Sequence, residues 1–349
     1  MASSPSSPAE LQSSKRAAGS PATTAASPAA RRRRILGAVL GLILFGGAIY
    51  VLYAELRQHS FEEILAELRA FPRIRLLLSL AATVLGYLAL IGYDAVSLTY
   101  LGRRLPFRCV AYAAFVGYAF ANSLPLSVLT GASVRYRLYA QWGLGRGEAA
   151  RVITLNTVTY VVGLLATAGL AFVAQPVLVP GFLRLPLRSA RPFGALCLVL
   201  VIAYLIWSTR RDGPLKIWRW TLPRPTFLRA VAQIGVSAAD WVLSGAAFYV
   251  LLPHAVPFHV FFALFLLGQI ASLVAQVPAG LGVFEAVMLW ALQPAIGAPA
   301  IVAALLGYRI VYFLLPLVIA TLMWGGRETR EWVRRRRARA TAPQRATAR

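Results

Sequence analysis

Apolar residues occur along the chain in runs of about 20, separated by short polar stretches. A run of that length is what a helix needs to cross the hydrocarbon core of a bilayer. The pattern therefore predicts an all-α integral membrane protein, built as a polytopic helical bundle. The predicted membrane segments are 35–53, 76–98, 110–129, 150–173, 193–207, 231–252, 258–290 and 300–324.

Two segments, within 110–139 and 258–293, are interrupted by residues that break helices. These residues are Pro125 and Gly131 in the first segment, and Pro278, Gly280 and Gly282 in the second. Unwound backbone at membrane depth is tolerated only where it is buried in protein or lines a wet cavity. The interruptions therefore predict two broken, re-entrant segments that border an internal site.

Basic residues concentrate at the ends of the apolar runs. Arg31–Arg34 precede the first run, Arg334–Arg337 follow the last, and further basic clusters lie in 98–109 and 209–229. Because such clusters mark the cytoplasmic side, both termini are predicted to lie in the cytoplasm. The number of crossings is then even, either six full spans with two re-entrant hairpins or eight spans.

Composition narrows the function classes. The formal net charge of +24 alone suggests a nucleic-acid partner, but only 14% of residues are charged and 58% are hydrophobic. The positive charge marks the ends of membrane segments, so we expect no nucleic acid to bind. Cysteines and histidines are few and scattered, and no catalytic motif is present, which predicts no metal, no cofactor and no enzyme activity.

The chain divides into a membrane domain between two tails. Residues 1–30, rich in Ser, Ala and Pro, are predicted to be a disordered cytoplasmic tail. The membrane domain is expected over 31–326, followed by a basic cytoplasmic tail over 327–349. Residues 54–75 alternate charged and apolar positions, which predicts an amphipathic helix on the membrane surface.

The two halves share a pattern. In each half, an acid within an apolar run (Asp94 or Asp240) is followed by a broken segment that carries or borders a charge (Arg135 or Glu285). Paired interrupted segments in corresponding positions point to a transporter site at the interface of two inverted structural repeats.

Four ionisable residues lie inside apolar runs, and Arg135 borders one of these runs. Each would cost about 2.5–3.5 kcal/mol at the bilayer centre if it faced lipid, so these side chains must pair or line a polar cavity. Structural ion pairs and functional groups both remain open at this point. The four residues are Asp94, Asp240, Glu285 and Arg309.

Three separated signatures resemble the lysylphosphatidylglycerol synthase transmembrane (flippase) domain family. They lie in 118–139, 277–285 and 307–317, and Asp240-Trp241 matches the acid–tryptophan pair before the second broken segment. The resemblance covers roughly 33–326. Because the chain ends soon after the last span, we expect the stand-alone, YbhN-like branch, related to the membrane module of multiple peptide resistance factors but without a synthase domain.

The resemblance implies a flippase-like transporter in a bacterial inner membrane, which moves a phospholipid or a modified lipid, such as an aminoacylated one, between the leaflets of that membrane. The implied partners are membrane lipids with anionic or aminoacylated headgroups and a separate lipid-modifying enzyme, and a homo-oligomer is compatible with this. Asn122, Arg135 and Arg137 would serve a cavity open to the cytoplasm. The outer cavity would use Gln276, Glu285, Asp240 and Arg309. Asp94 and Asp240 would be pseudo-symmetric acids, and Arg135 or Arg309 would hold a phosphate.

Alternatives from other classes remain at this stage. A non-transporting membrane partner of a lipid or glycan biosynthetic enzyme would use the buried charges only to hold helices together. An ion-coupled solute transporter also fits inverted repeats. An integral-membrane lipid enzyme is disfavoured because no nucleophile–base set or metal cluster is present.

Overall fold

The computed structural model describes residues 61–123, 127–175, 177–178, 189–209, 215–217, 220–222, 225–253, 255–275 and 282–341. The helices are α1 (Phe61–Arg69), α2 (Arg73–Tyr100), α3 (Phe107–Ser123), α4 (Ser127–Gln141), α5 (Arg146–Ala174), α6 (Arg191–Thr209), α7 (Phe227–Tyr249), α8 (Phe258–Ala275), α9 (Val283–Ile296), α10 (Ala298–Tyr308) and α11 (Leu315–Thr341). A π-helical segment, Arg309–Leu314, joins α10 to α11. Two short antiparallel strands, β1 (Leu215–Ile217) and β2 (Trp220–Leu222), lie between α6 and α7.

The prediction of a helical membrane bundle is confirmed. Among the described residues, six helical stretches are long and apolar enough to cross a membrane: Arg73–Tyr100, Gly147–Ala174, Arg191–Thr209, Phe227–Tyr249, Phe258–Ala275 and Ala298–Arg330. Five of them coincide with predicted full spans. The predicted first span, 35–53, and the tail over 1–30 lie outside the described residues.

The breaks predicted at Pro125 and over 277–282 fall between helices that contact each other as hairpins. The prediction that Gly131 also interrupts its helix is wrong, because Gly131 lies inside the regular helix α4. The first hairpin pairs α3 with α4, and the second pairs α8 with α9. At 18 residues α8 is about 27 Å long, close to the hydrocarbon thickness, whereas α9 has only 14 residues. The choice between re-entrant hairpins and full spans therefore stays a prediction.

Glycines at two helix ends have left-handed backbone conformations. Gly102 follows α2 with a φ of 66°, and Gly143 follows α4 with a φ of 85°. In both cases the N–H groups of the glycine and of the next residue return to carbonyls of the last turn. This is the Schellman arrangement, which satisfies carbonyl groups that the ending helix leaves without partners.

The long helices α2 and α7 pack extensively against each other and run antiparallel. Near one end, Ser79 Oγ donates to the Ala247 carbonyl at 2.7 Å, and near the other the Tyr93 hydroxyl lies 2.8 Å from Ser237 Oγ. These two helices carry Asp94 and Asp240. Inverted repeats require this opposite direction, although the repeat relation itself stays a prediction.

Helix α5 packs closely against α7 at Gly163. A β-carbon at Gly163 would collide with the Cβ and Oγ atoms of Ser237 and would approach the Ser237 backbone at 3.2 Å. The absent side chain therefore lets two membrane helices approach at backbone distance, as small residues commonly do in membrane proteins.

We expect Gly163→Ala to lower the free energy of unfolding by about 1–3 kcal/mol, because the added methyl group forces α5 and α7 apart. Thermal unfolding of the purified protein in detergent measures the effect. Gly235→Ala is the matched control, since nothing lies within 4 Å of a β-carbon at that position in α7. An equal loss of stability in both variants would contradict the packing explanation.

Apolar residues form both a buried core and an exposed outer surface. The largest buried cluster brings together aromatic side chains of α7, α8, α9 and α10, including Phe248, Phe265, Phe284 and Tyr308. Helix α6 and the first turns of α11 instead expose leucine, valine and isoleucine side chains, which suits contact with lipid.

The two ends of the described chain differ from the predicted boundaries. Helix α11 continues without a break past residue 326, the predicted end of the membrane domain, to Thr341. Of the predicted amphipathic stretch 54–75, residues 61–69 form α1, which packs against α10, and the long helix α2 already begins at Arg73.

Candidate functional site

A cavity of about 240 Å³ lies inside the bundle, between the facing ends of α3 and α8 and the junction of α10 with the π-helical segment. Its wall combines a few polar groups with many aromatic rings. The lining residues are Leu90, Tyr118, Ala121, Asn122, Tyr160, Asp240, Trp241, Ser244, Gln269, Ser272, Leu273, Phe284, Tyr308, Arg309, Tyr312 and Phe313. Concave sites with apolar walls and a few placed polar groups are typical of ligand binding.

Asp240 contributes a carboxylate to this cavity. It lies near the middle of α7 and is 6% exposed. The Tyr93 hydroxyl of α2 lies 3.0 Å from Asp240 Oδ2, a hydrogen bond in which the tyrosine is the donor. Oδ1 has no hydrogen-bond partner among the described residues. The carboxylate is thus held through Oδ2, while the buried Oδ1 is left without a described partner.

Arg309, also on the wall, forms a buried ion pair with Glu285. Its Nη2 lies 2.5 Å and its Nε 3.0 Å from Glu285 Oε1, and its guanidinium lies 4.9 Å from the Phe313 ring centre. The other carboxylate oxygen, Oε2, accepts a hydrogen bond from the Gly282 N–H at 2.7 Å. Glu285 therefore caps the first turn of α9, where a negative charge is favourable, and fixes the arginine at the same time.

The π-helical segment follows from Pro316. In a regular α-helix the Tyr312 carbonyl would accept a hydrogen bond from residue 316, but proline has no N–H group. Instead the Tyr87 hydroxyl donates to the Tyr312 carbonyl at 3.5 Å, and Ser123 Oγ donates to the Phe313 carbonyl at 3.2 Å. The wider turn lies on the cavity wall, and π-bulges are frequent at functional sites.

A second buried cluster surrounds Asp94, which has no exposed surface. Asn156 Nδ2 donates to Asp94 Oδ1 at 2.8 Å, and Ser97 Oγ donates to Asn156 Oδ1 at 2.6 Å. Arg135 Nη1 lies 3.6 Å from Asp94 Oδ2, an ion pair between α4 and α2. The Arg135 guanidinium also lies 4.2 Å from the ring centre of Tyr118, which itself lines the cavity. Tyr118 thus connects the two sites.

Two glycines of the first hairpin make room for this cluster. A β-carbon on Gly117 would lie 2.5 Å from Arg135 Cγ, and one on Gly131 would lie 2.5 Å from the Gly117 carbonyl oxygen. The arms of the hairpin therefore approach closely, and the arginine stem lies against the bare backbone of Gly117.

Comparison with known families gives the context for this geometry. The sequence profile of the family described as the lysylphosphatidylglycerol synthase TM region matches residues 35–320. The chain belongs to this family. The family resemblance proposed from the three signatures is therefore confirmed, and the protein is a multi-pass membrane protein.

Two relatives in this family match almost from end to end. The Synechocystis protein slr0712 is 36% identical over 310 residues, which cover 88% of this chain and 96% of that protein. The inner membrane protein YbhN of Escherichia coli is 30% identical over 299 residues, covering 84% and 92%.

Phosphatidylglycerol lysyltransferases match differently. The Bacillus subtilis enzyme is 25% identical over 304 residues, which cover 85% of this chain but only 34% of that protein. The family region is therefore about a third of the lysyltransferase and nearly the whole of YbhN.

The described site residues of this family member lie mainly in two neighbouring buried sites. Asn122, Asp240 and Arg309 line one cavity, with Glu285 paired to Arg309. Asp94 and Arg135 form the adjacent buried cluster, in which Gly131 packs. Gly282 begins α9 with a φ of 86°. Pro125, Gln276, Pro278 and Gly280 lie outside the described residues.

Arg137 lies apart from both buried sites. Its side chain is 59% exposed and forms an ion pair with Glu328 of α11 at 3.2 Å. It also lies 5.8 Å from the Trp324 ring centre. The structure thus places Arg137 where the last helix packs against the first hairpin, and not on the cavity wall.

Sequence reasoning did not single out most of the cavity's uncharged wall. Tyr160, Ser244 and Gln269 lie within apolar runs and carry no motif of their own, and Ser244 Oγ lies 2.8 Å from the Tyr308 hydroxyl. The sequence feature that could have identified these residues is the presence of several polar side chains within the predicted membrane spans. Within the described residues, no group of three or more His, Cys, Asp or Glu side chains could hold a metal ion.

Proposed function

We propose that this protein moves lipids between the leaflets of a bacterial inner membrane by carrying their headgroups through the bundle. Both of its termini lie in the cytoplasm. The observation that carries the proposal is the internal cavity, which offers an arginine, a carboxylate and an amide among aromatic rings in the middle of a membrane-spanning bundle. Crossing the hydrocarbon core costs a charged headgroup several kcal/mol, and a polar cavity at that depth lowers this cost.

The position of Leu273 supports a lateral opening to lipid. Leu273 lines the cavity, yet 51% of its surface is exposed, and its neighbour Val274 is 63% exposed. The cavity thus reaches the apolar outer surface on the side of α8. A headgroup can occupy the cavity there while its acyl chains remain in the bilayer.

The chemistry of the wall favours a phosphate-bearing headgroup. A guanidinium group presents several N–H donors that match phosphate oxygens, and Arg309 is the cationic side chain on the described wall. Relatives named for the lysylation of phosphatidylglycerol suggest anionic or aminoacylated phospholipids as cargo. A separate enzyme would supply any modified lipid, and the protein itself acts as a carrier and not as an enzyme.

Blocking the cavity tests the proposal. We expect Ser272→Phe to slow leaflet exchange of labelled lipids in proteoliposomes at least about tenfold, a factor that corresponds to about 1.4 kcal/mol in the barrier. Ser272 is 6% exposed and lines the cavity, so the ring would fill the space meant for the headgroup. Dithionite quenching of headgroup-labelled phosphatidylglycerol, phosphatidylethanolamine and lysyl-phosphatidylglycerol measures the exchange.

Val199→Phe, on the exposed face of α6 and not on the cavity wall, is the control and should exchange lipid at the wild-type rate. Wild-type protein that moves none of the three lipids above the rate of empty liposomes would refute the proposal. Exchange that is equally fast in Ser272→Phe would show that lipid takes another route.

A further inference from the structure

Three acids are buried in the described membrane interior, and two of them have cationic partners. Asp94 faces Arg135, and Glu285 is bound by Arg309. Asp240 has no salt bridge among the described residues. Asp240 is thus the one buried acid without a cationic partner among the described membrane residues.

The groups packed around Asp240 are polar but mostly neutral. Tyr93 and Tyr87 approach from α2, Tyr118 and Asn122 from α3, and Tyr160 from α5. Gln269 and Ser272 of α8 share the cavity wall, as do Tyr308 at the end of α10 and Arg309 and Tyr312 of the π-helical segment. Arg309 is the cation in this set, and both its Nε and Nη2 are directed at Glu285.

The two carboxylate oxygens of Asp240 differ in their hydrogen bonding. Oδ2 is engaged by Tyr93, whose own oxygen lies 2.8 Å from Ser237 Oγ. Oδ1 has no partner among the described residues, and the side chain belongs to the cavity wall. Oδ1 is therefore the atom left for a proton that enters through the cavity.

We propose that Asp240 is a proton-binding site that couples lipid movement to the pH difference across the membrane; this coupling rests on the proposed transport function. A buried carboxylate without a cation is costly in its charged form, and binding a proton removes that cost. Protonated Asp240 also removes the repulsion that an anionic carboxylate would exert on a phosphate held at Arg309.

The coupling has a defined direction. A headgroup phosphate carries one negative charge, and the proton on Asp240 compensates it, so the pair crosses the membrane without net charge. The phosphate and the proton therefore enter and leave the cavity together. Lipid then accumulates in the leaflet that faces the more alkaline compartment.

Infrared difference spectroscopy of the purified full chain tests the proton site without any lipid transport. An acid-to-alkaline titration should show loss of the carbonyl stretch of a protonated carboxylic acid. This band should be absent in Asp240→Asn, in which an amide of the same shape cannot titrate, and present in Asp94→Asn. A carboxylate at residue 240 that stays ionised throughout the titration would overturn the proposal and would leave a cationic headgroup as its partner.

Proteoliposomes test the coupling. The membrane potential is held at zero with valinomycin and equal potassium, a pH difference of one unit is imposed, and the leaflet distribution of labelled phosphatidylglycerol is followed. One proton per headgroup can sustain an asymmetry of up to about tenfold, which is the ratio that one pH unit represents. We expect wild-type protein to enrich lipid on the alkaline side.

The variants separate the two proposals. Asp240→Asn, whatever its rate of exchange, should reach the same lipid distribution with and without the pH difference. Wild-type protein that exchanges lipid but ignores the pH difference would refute the coupling while leaving the transport function intact. A chain that moves no lipid refutes the transport function, and the infrared titration then still decides whether Asp240 binds a proton.

Discussion

Replacing Arg309 with alanine is expected to destabilise the protein strongly and to abolish lipid movement. The substitution leaves Glu285 buried with only the Gly282 N–H as a described hydrogen-bond partner. Removing one member of a buried ion pair typically costs about 3–5 kcal/mol, because an uncompensated charge remains. Thermal unfolding and leaflet exchange of labelled lipid measure the two effects.

A double variant separates structure from function. In Glu285→Gln/Arg309→Gln both charges are gone, and the glutamine introduced at position 285 can still accept the Gly282 N–H through its amide oxygen. We expect most of the stability to return while lipid movement stays lost, because no guanidinium remains for the phosphate. Full recovery of transport in the double variant would mean that Arg309 serves only to compensate Glu285.

The chain contains a matched control for this pair. Glu148 accepts a hydrogen bond from the Gly145 N–H at 2.9 Å and binds Arg103 at 2.6 Å, as Glu285 does with Gly282 and Arg309. This second pair is exposed, with 54% of the Arg103 side chain accessible. Arg103→Ala should therefore cost at most about 1 kcal/mol and leave transport unchanged.

The membrane helices could be predicted from the sequence because an apolar run of span length has few alternative structures. The predicted segment 76–98 became a helix over Arg73–Tyr100, and the predicted break near Gly282 separates two helices. Helix α11 extends beyond the predicted domain end because its last turns are polar, and hydropathy marks only the part of a helix that contacts lipid.

The partners of the buried charges could not be predicted in the same way. The sequence suggested that these residues must pair or line a cavity, and the structure contains both arrangements. The family resemblance assigned Asn122 and Arg135 to the same cavity. However, α4 runs back from the tip of the hairpin, and Arg135 lies about 12 Å along this helix from Ser127. Asn122 consequently reaches the cavity of Asp240, whereas Arg135 reaches Asp94.

The aromatic wall was missed for a related reason. Tyrosines in apolar runs are usually interpreted as core or interfacial residues. Whether such a tyrosine faces a cavity depends on how the helices pack against each other. Tyr312 reaches the cavity through a π-helical turn that depends on Pro316. A proline in a membrane helix predicts a local distortion, but the sequence does not indicate which side chains the distortion turns inward.

Replacing Arg135 with alanine is expected to be the second strongly destabilising change. Asp94 has no exposed surface, and its Oδ2 has no hydrogen-bond partner among the described residues, so Arg135 at 3.6 Å is its described counter-charge. Loss of that charge should cost about 3–5 kcal/mol. It also removes a cation that lies 4.2 Å from the Tyr118 ring centre, a contact worth about 1–2 kcal/mol where water is excluded.

A double-mutant cycle measures the coupling between these two residues. Asp94→Asn, Arg135→Leu and their combination are compared by unfolding in mixed micelles. The asparagine introduced at position 94 keeps an amide that can still bond to Asn156, so the double variant should be more stable than Arg135→Leu alone. Additive losses in the cycle would show that the two charges do not interact and would refute the ion pair as the contact that holds α4 on α2.

Arg137→Ala is the control for the same helix and tests a sequence-based candidate at the same time. Arg137 lies two residues beyond Arg135, but its pair with Glu328 is largely exposed. Its loss should cost at most about 1 kcal/mol, and lipid exchange should stay at the wild-type rate. A large effect at Arg137 would mean that the exposed contact of α11 with the first hairpin controls transport as directly as the buried pair of Arg135 and Asp94 does.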